Sequence, residues 1–266
     1  MNYKNKYIKY KAKYLNSKNN QTGGAKLKEI YFIRHGETEW NVLGKTQGQE
    51  ADIPLNENGK EQSRKTGKYL KKYRIQDMPF DEIICSPMKR CKETAELIAK
   101  EIGFDKDIIY DDNIIEKKSG NLSGLTDKDE PLKSFFEYIE KESYREDPIE
   151  KYKLNGHLED DKLFNDVIKK LDKETGYKIT GVELKEEIIT RVDKFIKSLE
   201  KNKSNKILVI SHSGFIGVLL EHIFRLNILP VGDMSNGKNC SICYCTYQDN
   251  IFTMISPQNT EHLAII

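Results

Sequence analysis

Four consecutive aliphatic residues, Ile207, Leu208, Val209 and Ile210, run straight into Ser211, His212, Ser213 and Gly214, and then into an apolar helical stretch from Phe215 to Phe224. A strand that is apolar on both faces must be covered on both faces, which is the condition of an inner strand in a parallel sheet flanked by helices. The chain therefore reads as α/β. A His and a Gly where such a strand gives way to a helix sit at the rim of the sheet. There the free amides and the dipole of the helix face an anion.

The same unit recurs along the chain. Ile30, Tyr31, Phe32 and Ile33 form a short run of strand formers that ends in Arg34, His35, Gly36, Glu37, Thr38, Glu39, Trp40 and Asn41. Phe80 to Cys85 is a second strand, ending in Ser86, Pro87, Met88, Lys89 and Arg90 and running into a helix with Thr94, Ala95, Leu97 and Ile98. Ile108 to Tyr110 is a third, followed by Asn113, Ile114, Ile115 and Glu116, then Gly120, Leu122 and Gly124. Asn56 or Asn58 can cap a helix to about Lys72, and Leu184, Ile188, Val192, Phe195, Ile196 and Leu199 form one apolar stripe over 182–199. Asn239 to Tyr247 and Ile251 to Ile255 read as a hairpin closed at Asp249 and Asn250.

We expect a three-layer sandwich: a mostly parallel central sheet with helices on both faces and an antiparallel edge. A helical insertion at about 125–180 is expected to form a cap. Within it Phe135, Phe136, Tyr138 and Ile139 line one side of two or three amphipathic helices, and Phe164, Val167, Ile168 and Leu171 another. Such a cap would lie over the pocket and govern substrate choice.

The chemistry suggested by a strand that delivers Arg34 and His35 together is phosphoryl capture. A guanidinium holds two phosphate oxygens in its planar fork, and a neutral imidazole nitrogen can attack phosphorus. Only seven of the 44 basic residues are Arg, so an Arg at a strand end carries more information here than a Lys. A thiolate nucleophile is the rival. Cysteine phosphatases separate their Cys and Arg by five residues around a glycine-bearing loop, whereas Cys85 and Arg90 are separated by four and the loop lacks the glycines. Cys85 is thus expected to be a buried strand residue. Cys240, Cys243 and Cys245 are close enough to be metal ligands, but no second ligand cluster with zinc spacing accompanies them, so they read as strand thiols and no metal is expected. His157, His222 and His262 have no such context and receive no role.

The overall charge of +2 is unevenly spread. Residues 1–28 hold eight Lys and no acid, leaving 36 basic against 42 acidic residues in the remainder, a net of −6. A mildly acidic body argues against a general nucleic-acid binder. The leader, 1–28, repeats Tyr3, Tyr7, Tyr10 and Tyr14 among its lysines. As a helix it would lie on an anionic surface or meet a partner; otherwise it is a solvated tail ending at Gly23 and Gly24. It resembles the Lys- and Tyr-rich leaders of some proteins of large DNA viruses. No run of 18 apolar residues exists, so no transmembrane segment is expected. An odd count of five Cys without a cleavable apolar signal points to a reducing, cytoplasmic setting.

The stretch from Arg34 to Asn41, with Gln47 and Gly48 a few residues on, resembles the first motif of the histidine phosphatase superfamily, which includes the cofactor-dependent phosphoglycerate mutases and many broader phosphatases. Arg90, Glu116 and His212 follow in the superfamily's order over roughly residues 29–256. The resemblance implies that His35 attacks phosphorus and becomes a phosphohistidine, and that Arg34, Arg90 and His212 bind the equatorial oxygens. It implies that Glu116 donates the proton and that Asn41, Gln47, Gly48 and the Gly214 amide complete the anion cradle, with no cofactor. The mutases hold a second phosphate with adjacent arginines followed by prolines in the insertion, where this chain has a lone Arg145. Gln47, Gly48, Asp52, Pro54 and Leu55, with Ser86 to Thr94, look more like the phosphatase side. Hydrolysis of a small phosphomonoester is the expectation, with mutase-type transfer as the alternative and a non-catalytic binding module on the same fold as a third reading.

Overall fold

The computed structural model describes residues 27–75, 78–134, 137, 169, 170, 172–224 and 237–265. Among them, strands β1 (Lys28–Arg34), β2 (Glu82–Cys85), β3 (Ile109–Tyr110), β4 (Lys206–Ser211), β5 (Ile242–Gln248) and β6 (Ile251–Asn259) form one sheet in the order β3-β2-β4-β1-β5-β6. β3, β2, β4 and β1 run parallel, and β5 is reversed against both β1 and β6. The edge strand β6 therefore points the same way as β1, and the reversed strand lies one place in from the edge.

Alternation along the inner strands divides the core in two. Ile30 and Phe32 of β1, with Ile207 and Val209 of β4, face the helices α4 (Lys185–Lys201) and α5 (Ser213–Phe224), meeting Ile188, Val192, Phe195 and Phe215. Tyr31 and Ile33, with Leu208 and Ile210, face α2 (Glu57–Tyr73) and α3 (Lys89–Ile102), meeting Leu70, Ala95 and Ile98. Both faces of β1 and β4 are thus dry, as an uninterrupted aliphatic strand requires. Each fully buried aliphatic or aromatic chain contributes about 1.5–3 kcal/mol.

Local signals explain most boundaries. Asn56 rather than Asn58 caps α2, its side chain accepting from the Gly59 amide at 2.8 Å. The Asn58 amide instead donates to Glu37 Oε1 at 3.0 Å. The β5–β6 turn has positive φ at Asp249 (52°) and Asn250 (62°), the conformation that suits a two-residue hairpin and the residue types that tolerate it. Two short helices fall where no periodic pattern is long enough to announce them: α1 (Glu39–Val42), closed by a Thr38–Asn41 capping box, and α6 (His262–Ile265). β3 is only two residues long and exposed.

The ends of the expected insertion, 132–134 and 172–175, are helical. Its central part, including Phe135, Phe136 and Phe164, lies outside the described residues, as does the leader up to residue 26. No helix among the described residues is long and apolar enough to cross a membrane.

Candidate active site

Parallel pairing of β1 with β4 sets Arg34 opposite Ser211, so His35 and His212 leave adjacent strands at the same level. The His35 amide donates to Ser211 O at 3.0 Å, and the two imidazole centroids lie 5.3 Å apart with their planes at 61°. On the other side of β4, the Ser86 amide at the end of β2 donates to Ile210 O at 2.9 Å. Three neighbouring strand ends therefore deliver three polar side chains to one point on the rim.

Hydrogen bonding decides the tautomers. His35 Nδ1 lies 2.7 Å from the Gly36 carbonyl, which can only accept, so Nδ1 carries the proton and Nε2 keeps a bare lone pair. For His212 the assignment follows from Arg90, whose Nε can only donate and sits 3.2 Å from Nδ1. Nε2–H of His212 then donates to Ser86 Oγ at 2.8 Å. Both rings are buried. Burial first, then the charges of Arg90 and Arg34, hold the His35 pKa well below its ordinary value. The His212 pKa is pushed the same way by burial, then Arg90 and His35. The pair is neutral.

Arg90 is fully buried, and its two terminal nitrogens donate to Ala51 O at 3.4 Å and Gly48 O at 3.3 Å. The Arg34 guanidinium donates to Gly237 O at 2.7 Å, while its buried Nε has no hydrogen-bond partner among the described residues. That orphaned donor is ready for an anion. A cavity of about 330 Å³ adjoins Arg34 and is lined also by Glu37, Gln62, Lys238, Asn239 and Thr260. Neither imidazole lines it, so the cluster of candidate residues is defined by the strand ends and not by that cavity.

Glu116 is brought in by the loop after β3. Its Oε1 accepts from the amides of Lys117 (2.8 Å) and Phe215 (3.2 Å), and its Oε2 from the amide of Gly214 (3.2 Å). The carboxyl thus caps the N-terminus of α5 through two of its backbone amides. Sequence reasoning places the Gly214 amide in the anion cradle; in the structure that amide serves Glu116. A Cβ at Gly214 would lie 2.3 Å from Glu116 Oε1, so any other residue there would require the carboxyl to shift.

Asn41 and Gln47 also turn their side-chain oxygens toward the protein. Asn41 Oδ1 accepts from the Thr38 amide (3.1 Å) and from Asn239 Nδ2 (3.0 Å), and the Thr38 hydroxyl donates to Gln47 Oε1 at 2.9 Å. Only their amide N–H groups could donate to an anion. Gly48 contributes through its carbonyl on Arg90 and through its lack of a side chain: a Cβ there would meet the Ser119 amide at 2.6 Å.

Several supporting residues escape sequence reasoning. Thr94 Oγ1 accepts from the Gly36 amide at 3.0 Å and donates to Arg90 O at 2.7 Å, joining the two arginine-bearing turns. Arg191 of α4 pairs with Glu183 (Nε to Oε1, 2.8 Å) and donates to the carbonyls of Asn113 and Ile115, bracing the loop that carries Glu116. The scarcity of Arg was the one signal that could have marked Arg191. Cys85 is buried in β2 with its thiol pKa pushed up by burial, which suits a core residue and not a nucleophile. Cys243 and Cys245 face the core together in β5, while Cys240 precedes the strand and lies 3.8 Å from Ser63 Oγ. His222 pairs with Asp193, and buried His262 packs on Tyr69, both away from the strand ends; His157 lies outside the described residues.

Two neutral imidazoles, a fully buried and a partly buried guanidinium group at the rim of a mostly parallel sheet, with a carboxyl on the adjoining helix end, define a class of site suited to phosphoryl groups on an α/β fold. The model of the histidine phosphatase superfamily (branch 1) matches residues 30–156 and 153–260, and the chain belongs to that superfamily. Over 96 residues it is 41% identical to an uncharacterized phosphatase, PhoE, of Bacillus subtilis, a match spanning 36% of this chain and 46% of that protein. Over 223 residues it is 29% identical to a probable phosphoglycerate mutase, GpmB, of Salmonella choleraesuis, covering 84% of this chain and 86% of that one. Among solved structures, it is similar to a phosphoglycerate mutase of Bacillus anthracis (TM-score 0.65, 25% identity, 91% of this chain and 97% of the other). It is also similar to a phosphoserine phosphatase of Entamoeba histolytica in complex with phosphoserine (TM-score 0.59, 25% identity, 89% and 99%).

Proposed function

We propose that this chain is a phosphatase that hydrolyses a small phosphomonoester through a phosphohistidine at His35. The observation that carries the reading is the Nδ1–H bond to Gly36 O, which leaves Nε2 of a neutral ring as the nucleophile. In the first step the Nε2 lone pair forms a bond to phosphorus, the bond to the ester oxygen breaks, and that oxygen takes the electron pair and the proton of the Glu116 carboxyl. In the second, a water oxygen bonds to phosphorus, its proton returns to Glu116, and the N–P electron pair goes back to Nε2. Arg34 and Arg90 stabilise the charge on the equatorial oxygens in both steps.

A phosphotransferase of the mutase type is the second reading, favoured by similarity to proteins named phosphoglycerate mutases. The lone Arg145, in place of an arginine pair, supports hydrolysis over transfer. Rapid quench with a labelled ester tests the proposal. An acid-labile phosphate on His35 and release of free phosphate are expected, and His35→Ala should reduce turnover by roughly 10⁴-fold or more. Equal turnover by wild type and His35→Ala would sink it, and isomerised product in place of free phosphate would favour the mutase.

A further inference from the structure

We infer that Gln49 and Glu50 are positioning residues that clasp the loop carrying Glu116, so that they govern delivery of the leaving-group proton and not attack on phosphorus. The inference rests on Glu116 acting as the general acid. Gln49 Nε2 donates to the backbone carbonyl of Glu116 itself at 2.6 Å. The Glu50 carboxylate accepts from the next turn of the same loop, from Ser119 N at 3.2 Å and Gly120 N at 2.7 Å. Side chains of two consecutive residues thus hold both ends of a five-residue segment beginning at the acid.

The approach is close because Gly48 has no side chain: a Cβ there would lie 2.1 Å from Glu50 Oε2 and 2.6 Å from the Ser119 amide. The same short segment turns its carbonyls the other way, Gly48 O and Ala51 O each accepting from Arg90. One stretch of backbone therefore sets the distance between the arginine that grips the phosphoryl group and the carboxyl that protonates the departing oxygen. Glu116 gets two side-chain bonds from α5, one from the Lys117 amide and its backbone bond from Gln49, so removing Gln49 leaves the carboxyl in reach of the helix amides but frees the main chain beneath it.

Leaving-group dependence reads this role directly. A 4-nitrophenolate leaves without a proton, whereas an alkoxide does not. In Gln49→Leu, and separately in Glu50→Ala, kcat/KM for a primary alkyl phosphate should fall roughly tenfold to a hundredfold while that for 4-nitrophenyl phosphate changes by less than about twofold. Amide hydrogen exchange at residues 117–120 should quicken in both variants. Equal losses on the two esters, or no loss on either, would overturn the inference. If wild type hydrolyses neither ester, the phosphatase reading fails by itself, and unchanged exchange at 117–120 in both variants would overturn the clasp independently.

Discussion

Arg90 donates its Nε proton to Nδ1 of His212 at 3.2 Å, so the second imidazole of the site is held as an acceptor by a fully buried cation. A guanidinium pressed against a ring nitrogen opposes protonation of that ring, and burial opposes it further.

The pH dependence of the reaction follows. Because the His35 and His212 pKa values lie well below 6.5, the neutral forms persist as pH falls through 6.5, and the acid limb of kcat/KM should lie at distinctly lower pH. Nitrogen-15 shifts should report His35 as the Nδ1–H tautomer and His212 as the Nε2–H tautomer at neutral pH. A histidine titration centred at 6.5 would contradict the geometry.

Gly214→Ala should separate folding from chemistry. Ala is the better helix former by up to about 1 kcal/mol, which offsets the weakened Glu116 cap, so thermal stability should change by no more than about 1 kcal/mol. The new Cβ, however, would sit 2.3 Å from Glu116 Oε1 and 3.1 Å from its carboxyl carbon. Displacing the acid should reduce turnover of an alkyl phosphate by roughly 10²-fold or more, with a smaller loss on 4-nitrophenyl phosphate.

Arg90→Lys keeps the charge and loses the fork. An ammonium cannot serve His212, Gly48 O and Ala51 O together with the geometry of a guanidinium. Stability in urea should fall by about 1–3 kcal/mol as buried acceptors lose their donors. kcat/KM should fall by roughly 10²–10³-fold, as when one preorganised donor to the developing charge is removed.

His262 supplies a stability test remote from the reaction. The Thr66 hydroxyl donates to Gln62 O, so Nε2–H of His262 must donate to Thr66 at 2.9 Å, leaving buried Nδ1 with no hydrogen-bond partner among the described residues. Burial pushes its pKa down to about 4. Above pH 6.5 neither folded nor unfolded chain is protonated at this ring. As pH falls from 6.5 toward 4 the unfolded chain gains a proton that the folded chain refuses, and stability drops. Denaturant titrations in that window should show a slope shallower by up to about 1.4 kcal/mol per pH unit in His262→Gln than in wild type.

The strands and longer helices were legible in the linear sequence because period and turn chemistry are written in contiguous residues. Ile207–Ile210 could only be an inner strand, and the Arg34, His35, Arg90 and His212 turns could only fall at strand ends. The reversal of β5 one place in from the edge was not legible, since nothing in Ile242–Gln248 records which strands will flank it. The identity of the groups at the rim was therefore determined by sequence alone. Which tautomer His212 adopts, that the Gly214 amide serves Glu116, and that Gln49 reaches the acid's carbonyl were decided by tertiary structure. Those contacts link residues 67 to 122 positions apart, and their existence depends on strand order and register rather than on any local pattern.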